Sequence, residues 1–313
     1  MEIYLHIGHP KSGSTFLQLY FFKNLNVNFI GRPYPKKAHE IENIFATTDD
    51  VYFKKSKPKI LKFFKKVLKN NKKNVISIED LTKPTFLTQK KGHNIFKCLK
   101  RYYKILLNFG DVKIIYVIRS HADIIGSFYE QYYLEDWKFY DITHDKVLNF
   151  FKNKKSSKEL RFLFNSFNYS KNFTKLQNIF GDNKVQILFY EDLKFDYVFF
   201  KNEIISFMGL DENIKIQKQI ANSSTEKSSY LRLATKIVKN IITRNYRIFY
   251  DIKREFNDLK LKIYEIKFRK KILKNFKIDI REINKEIRQF YKNDCMGFKN
   301  KNIINKLKKY NYL

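Results

Sequence analysis

Ile3-Tyr4-Leu5-His6-Ile7-Gly8-His9-Pro10-Lys11-Ser12-Gly13-Ser14-Thr15-Phe16-Leu17 opens the chain with an apolar run, a turn of small polar residues and the start of a second apolar pattern. Ile3 to Ile7 has the length and bounding residues of a buried strand, and Leu17 to Lys23 reads as a helix. The turn between them delivers the chain to a helix N-terminus, where unpaired amides and the positive dipole end favour an anion. Gly13 lets the backbone close on that anion without an intervening side chain, while Ser14 and Thr15 add hydroxyl donors. An ordinary strand-to-helix turn is the plainer alternative. The loop is not a Walker A motif: Gly8 and Gly13 have its spacing, but Ser14 stands where lysine belongs and Lys11 precedes Gly13.

Outward from this stretch, further strand patterns lie at Val75 to Ile78, Lys113 to Ile118 and Val185 to Tyr190, with a weaker one at Val27 to Ile30. Helical patterns separate them: Ile60, Leu61, Phe63, Phe64, Val67 and Leu68 recur at three and four, and Ile95 to Leu107, Ile124 to Leu134 and Phe199 to Met208 read alike. Strands joined by helical crossovers predict an α/β fold, a three-layer sandwich with a mostly parallel central sheet. Ligands of such sheets sit beyond the carboxyl ends of the strands. After Leu210 the strand-like runs cease and Lys/Arg-rich helical patterns continue from about Tyr230 to Tyr312. Residues 1–215 therefore read as the core and residues 216–313 as a helical C-terminal extension packed on it. Leu231 to Phe268, apolar and cationic together, also fits an amphipathic helix lying on a membrane.

Composition narrows the classes further. The 63 Lys and Arg against 31 Asp and Glu leave a net charge of +32. The lysines are spread along the chain beside abundant Asn, Ile, Phe and Tyr, a joint bias that AT-rich codons generate. Solvated lysine faces are the plain reading, and an anionic ligand or membrane surface the other. With only Cys98 and Cys295, neither a disulfide framework nor a thiolate metal cluster is expected, which fits a reducing, cytoplasmic setting. The start, from Met1 to Ile7, has neither the cationic leader nor the long apolar run of a signal peptide or anchor.

A second constellation follows the strand at Lys113 to Ile118. Arg119 ends that strand, Ser120 and Asp123 have capping-box spacing, and Ser127 lies in the helix beyond. A guanidinium and a hydroxyl so placed can surround one phosphate, although a surface ion pair for Arg119 and a helix-face hydroxyl for Ser127 are the bland alternatives. Further on come Phe189-Tyr190-Glu191-Asp192-Leu193-Lys194 and Ile204-Ile205-Ser206-Phe207-Met208-Gly209-Leu210.

In this order the three motifs resemble those of the PAPS-dependent sulfotransferases, PAPS being 3′-phosphoadenosine 5′-phosphosulfate. Pro10-Lys11-Ser12-Gly13-Ser14-Thr15-Phe16 is similar to the family's 5′-phosphosulfate loop, with Ser14 a departure from its usual threonine. Arg119 and Ser127 resemble its 3′-phosphate pair, and the Tyr-Glu-Asp segment its partner near the adenine. The resemblance spans about residues 2 to 215 and implies a P-loop-like sulfotransferase fold, PAPS as donor, PAP as product and no metal. It implies cofactor contacts from Lys11, Ser12, Gly13, Ser14, Thr15, Phe16, Arg119, Ser127 and Tyr190. Lys11 would touch the oxygen bridging phosphate and sulfate, and Tyr190 would approach the adenine. The family's Arg-Lys-Gly-rich adenosine loop is not recognisable; Asn222-Ser223-Ser224 and Lys227 stand after residue 215 instead. The ending Leu307-Lys308-Lys309-Tyr310-Asn311-Tyr312 resembles that of bacterial carbohydrate-type members. A glycan or lipid-linked acceptor, with peripheral membrane contact through the basic C-terminal helices, is the corresponding expectation.

Sulfuryl transfer needs charge stabilisation on the departing phosphate and a base for the acceptor hydroxyl. Lys11 and the helix N-terminus suit the first. Glu79, at the end of a strand, is the first choice for the base, with Asp80, His93, Glu40 and Glu42 as alternatives. Glu79-Asp80 also reads as a simple cap, and His6, His9 and His121 as structural histidines. Two rival classes stand beside this: a nucleotide or small-molecule kinase, which the misplaced lysine argues against, and a basic binder of anionic polymers, favoured by charge alone. The chain carries no recognised nucleic-acid module.

Overall fold

Strand β1 (Glu2–Gly8) is the middle strand of a five-stranded sheet in this computed structural model. Its neighbours are β2 (Asn28–Ile30), β3 (Asn74–Ser77), β4 (Asp111–Ile118) and β5 (Val185–Phe189), in the order β2-β3-β1-β4-β5. Each neighbouring pair is parallel. The structure describes residues 1–9, 11–31, 35, 38–77, 94–127, 149–151, 158–211, 214, 216 and 280–313. The chain forms two compact units, one of residues 1–124, 157–221 and 288–313 containing the sheet, the other of residues 125–156 and 222–287.

Parallel strands need crossovers that return the chain over the sheet, so both faces are covered and the strands read as continuous apolar runs. Helix α1 (Ser14–Phe16) continues into a π-helical turn, Leu17–Phe21, and a 3-10 turn, Phe22–Asn24. Then follow α2 (Ala38–Ala46), α3 (Asp50–Val67), α4 (Ile95–Leu106), α5 (Lys158–Asn165), α6 (Tyr169–Phe180), α7 (Tyr190–Phe195), α8 (Tyr197–Met208), α9 (Ile280–Cys295) and α10 (Lys301–Lys309). Residues 121–127 are helical as well. On one face, Tyr4, Val75, Ile115, Val117 and Leu188 pack with Phe16, Leu17, Phe21 and Phe22 and with Phe200, Ile204 and Met208 of α8. Strand alternation turns Tyr116 to the other face, where Tyr169 of α6 meets it at 6.4 Å between ring centroids.

Two local expectations are corrected. The helix expected over Leu17 to Lys23 is not α-helical: α1 ends at Phe16, and Leu17–Phe21 form a π turn followed by a 3-10 turn, an arrangement in which the consecutive Phe21 and Phe22 are both inside, edge to face at 5.6 Å. The strand expected over Val185 to Tyr190 stops at Phe189, and Tyr190 opens α7, whose first turn carries the acidic Glu191 and Asp192 that a helix N-terminus favours. At the amino ends of the strands, Glu2 accepts hydrogen bonds from Lys73 at 2.6 Å, Lys113 at 2.8 Å and Tyr4 at 3.0 Å. Partial burial pushes its carboxyl up, but the hydrogen bonds from Lys113 and Lys73 overcome that and lower it to about 2. No helix among the described residues is long and apolar enough to cross a membrane.

Candidate functional site

Three chain segments leave the carboxyl edge of the sheet side by side, because β1 pairs with β4 at Gly8 and Val117, and β4 with β5 at Ile118 and Phe189. The first is the loop after β1. A Cβ at Gly8 would stand 2.8 Å from Ser12 Oγ, so a side chain there would force that hydroxyl to shift. Ser12 folds back, donating from both its amide (3.1 Å) and its hydroxyl (2.5 Å) to the His9 carbonyl. His9 is buried, its ring 4.8 Å from that of Phe167, and so anchors the turn. Lys11 (φ 73°) and Gly13 (φ 88°) both adopt left-handed backbone, the kind of turn in which successive amides can converge on an anion. Left-handed backbone at a lysine is strained, and such strain concentrates at functional loops. Ser14 Oγ is buried and has no hydrogen-bond partner among the described residues. Thr15 is half-buried, while Phe16 packs edge-on to Tyr197 at 5.9 Å and roots the helix in the core.

Arg119 follows β4. One Nη donates to the Lys11 carbonyl at 2.8 Å, the guanidinium lies 4.7 Å from the centre of the Tyr190 ring, and its Nε is buried without a partner among the described residues. Tyr190, first residue after β5, also presses on Gly13: a Cβ on that glycine would meet Tyr190 Cδ2 at 3.1 Å and Leu193 Cδ2 at 2.9 Å. Lys11, Gly13, Arg119 and Tyr190, chosen from three distant places in the sequence, are thus one cluster.

A second layer holds that cluster. Glu191 accepts from the Ser120 amide at 2.8 Å and from the Tyr312 hydroxyl at 2.8 Å; burial pushes its carboxyl up, and these hydrogen bonds oppose the shift. Ser120 Oγ accepts from the Asp123 amide at 3.4 Å, so it does cap residues 121–127, while its own amide is taken by Glu191. Tyr169 donates its hydroxyl to the Arg119 carbonyl at 2.7 Å. His121, which burial holds neutral by lowering it to about 3, donates Nε2–H to the Phe167 carbonyl at 2.9 Å. Its ring is sandwiched between Tyr291 at 3.9 Å and Tyr169 at 4.4 Å. Asp192 pairs with Lys306 at 2.9 Å and accepts from Tyr310. Reading the sequence missed Glu191, Asp192, Tyr169 and the C-terminal tyrosines as supports. The available signal was the adjacency of two carboxylates to Tyr190 in a strand-to-helix turn.

The remaining candidates lie elsewhere. Glu79, Asp80 and His93 fall outside the described residues, as does Pro10. Ser77, two positions before Glu79, is buried at the end of β3, where its hydroxyl accepts from Gln18 Nε2 at 3.0 Å and meets His6 Nδ1 at 2.6 Å. His6 is a structural histidine there, kept neutral by burial at about 3. Glu40 is exposed in α2 and paired with Lys59, and Glu42 is half-buried on the same helix. Ser127 is half-buried at the end of the helical residues 121–127 and belongs to the second unit, whereas Arg119 belongs to the first.

Fold and site together define an α/β protein whose left-handed turn after β1 and arginine after β4 share the carboxyl edge of a parallel sheet. Residues 4–292 match the sulfotransferase domain family, and the chain belongs to it. No curated protein sequence matches the chain. Among solved structures it is similar to a sulfotransferase from Alicyclobacillus acidocaldarius, at 13% identity and TM-score 0.43 over 76% of this chain and 93% of that one. A mouse sulfotransferase complexed with PAP aligns at 15% identity and TM-score 0.30, over 75% of this chain and 66% of that one. The sulfotransferase domain from the curacin biosynthetic pathway aligns at 16% identity and TM-score 0.35, over 67% and 74%.

Proposed function

We propose that this sulfotransferase uses PAPS as donor, with Lys11, Ser12, Gly13, Ser14, Thr15 and Phe16 around the 5′-phosphosulfate and Arg119 with Ser127 on the 3′-phosphate. The observation that carries the reading is the 2.8 Å hydrogen bond from Arg119 to the Lys11 carbonyl, which joins the two anion-binding segments. The fit is supported by two groups without partners among the described residues, the buried Ser14 hydroxyl and the buried Arg119 Nε, and by the left-handed turn at Lys11 and Gly13. Tyr190, stacked on Arg119, borders the same place and is proposed to face the adenine.

Bound PAPS supplies the sulfuryl group, and PAP leaves. Lys11 and the amides of the turn meet the negative charge growing on the departing phosphate. Glu79 takes the proton from the acceptor hydroxyl or amine as the new bond to sulfur forms, a contribution of about 10² to 10⁴ in rate. Asp80, His93, Glu40 and Glu42 are the alternatives for that role. The acceptor is proposed to be a carbohydrate or glycolipid, as for bacterial carbohydrate-type members. The setting is proposed as cytoplasmic, which the presence of only two cysteines, Cys98 and Cys295, supports, with basic C-terminal helices touching the inner membrane face. Residues 1–215 are proposed as the catalytic core and 216–313 as its extension.

The test is thermal stabilisation by PAP in EDTA buffer together with sulfuryl transfer from labelled PAPS to a panel of sugar, lipid and phenol acceptors. Wild type should be stabilised and active without Mg²⁺. Lys11→Ala and Arg119→Ala should each lose the stabilisation and at least about 10²-fold in turnover. Glu79→Gln should keep the stabilisation and lose turnover; normal turnover in that variant removes Glu79 from the mechanism. A requirement for Mg²⁺ would favour the kinase reading instead.

A further inference from the structure

We propose that Tyr312 is a positioning residue for Arg119, its hydroxyl engaging Glu191 so that the guanidinium is left for phosphate; this rests on the reading of Arg119 as a ligand of the 3′-phosphate. Glu191 stands between the two supports of the arginine. One carboxylate oxygen accepts from the amide of Ser120, the residue after Arg119, and the other accepts from Tyr312, each at 2.8 Å. Glu191 is also the neighbour of Tyr190, whose ring lies beneath the guanidinium at 4.7 Å.

Glu191 is 5% exposed and Tyr312 1% exposed, so water cannot replace a missing donor at little cost. Without the Tyr312 hydroxyl, the carboxylate would seek the nearest cation, and the Arg119 charge already acts on it. The arginine would then be drawn inward, away from the edge where Lys11 and Gly13 turn. Tyr312 acts indirectly: it is buried and its hydroxyl bonds Glu191, while its ring contacts with Tyr169 and His121 would be kept by a phenylalanine.

The last helix exists in a form suited to this task. Lys306 of α10 bonds Asp192 at 2.9 Å and Glu203 at 2.8 Å, and Tyr310 donates to Asp192. Those contacts return the chain end to α7, and the Tyr312 amide donates to the Leu307 carbonyl at 2.9 Å to close the turn beyond α10. A phenylalanine at position 312 would fill the same space, so the hydroxyl rather than the ring is what the arrangement requires.

The experiment measures by calorimetry the Kd of PAP and of adenosine 5′-monophosphate, which lacks the 3′-phosphate, at a temperature where circular dichroism shows each variant folded. In wild type PAP should bind more tightly than the monophosphate. Tyr312→Phe should weaken PAP by roughly ten-fold and leave the monophosphate unchanged, so the ratio of the two falls. The double variant Tyr312→Phe with Glu191→Gln should restore the ratio, because the amide still accepts from Ser120 but no longer attracts Arg119. It also removes the unpaired buried charge, so it should fold even where the single variant does not. Tyr291→Phe is the control: it loses a buried hydrogen bond to the Phe164 carbonyl, 2.7 Å long, and should lower stability without moving the ratio. An unchanged ratio in Tyr312→Phe, or no recovery in the double variant, overturns the inference while leaving Arg119 in place. An unchanged ratio in Arg119→Ala overturns both the inference and the reading beneath it.

Discussion

Gly13 is constrained at the site both by its backbone and by its neighbours. Its φ of 88° is a conformation that costs a side chain energy, and a Cβ would press on Leu193 at 2.9 Å and Tyr190 at 3.1 Å. Gly13→Ala should therefore destabilise the fold by about 1 to 3 kcal/mol and push Tyr190 from beneath Arg119. Urea unfolding reads the first effect, and loss of PAP-dependent stabilisation reads the second. A variant with wild-type stability and PAP response would show that the loop closes differently. Gly13 and Lys11 stood out in the sequence because the turn proposed to bind the anion is built from contiguous residues. Nothing in the sequence indicated that Tyr190 would bear on Gly13, since that contact depends on β5 reaching the same edge as β1.

At the scale of elements, the amino ends of β1, β3 and β4 are drawn together by one carboxylate. Glu2, held near 2 by Lys113 and Lys73 against the opposing effect of burial, binds fewer protons in the folded chain than in the unfolded one. A depressed carboxyl pKa adds stability above its ordinary value of 4.5, and that stability drains away as pH falls toward about 2. Glu2→Gln should thus lower stability at pH 7, and the gap from wild type should close progressively below 4.5. The side chain is 36% exposed, so screening limits the gap to at most about 1 kcal/mol. Urea midpoints at pH 7 and pH 3 measure it, and a gap that widened with acid would contradict the assignment. Strand existence was legible here because buried parallel strands are continuous apolar runs. The π turn at Leu17–Phe21 was not, since the same aromatic residues suit an ordinary helix until the core must take in Phe21 and Phe22 together.

For the molecule as a whole, the net charge of +32 means that folding brings many like charges closer together. Added salt should screen that repulsion, so Tm should rise between about 0.01 and 0.15 M NaCl, where the Debye length falls from about 30 to 8 Å. A differential scanning measurement checks this, and a Tm that fell with salt would indicate that ion pairs outweigh the repulsion. The C-terminal residues illustrate how far whole-molecule effects reach. Residues 288–313 belong to the same unit as the sheet, and Tyr312, 121 positions from Glu191, completes its hydrogen bonding.

Sequence by itself determined the strand-turn-helix opening, the parallel α/β class and the two segments around Lys11 and Arg119 that are proposed to bind anions. These depend on local periodicity, on backbone freedom at Gly13 and on short spacings that survive without knowledge of neighbours. Tertiary structure alone decided that Arg119 would bond the Lys11 carbonyl, that Tyr190 would lie under it and that Glu191 would be shared between Ser120 and Tyr312. Those contacts join residues separated by scores of positions, and which of them meet is set by strand order and by helix packing on the sheet.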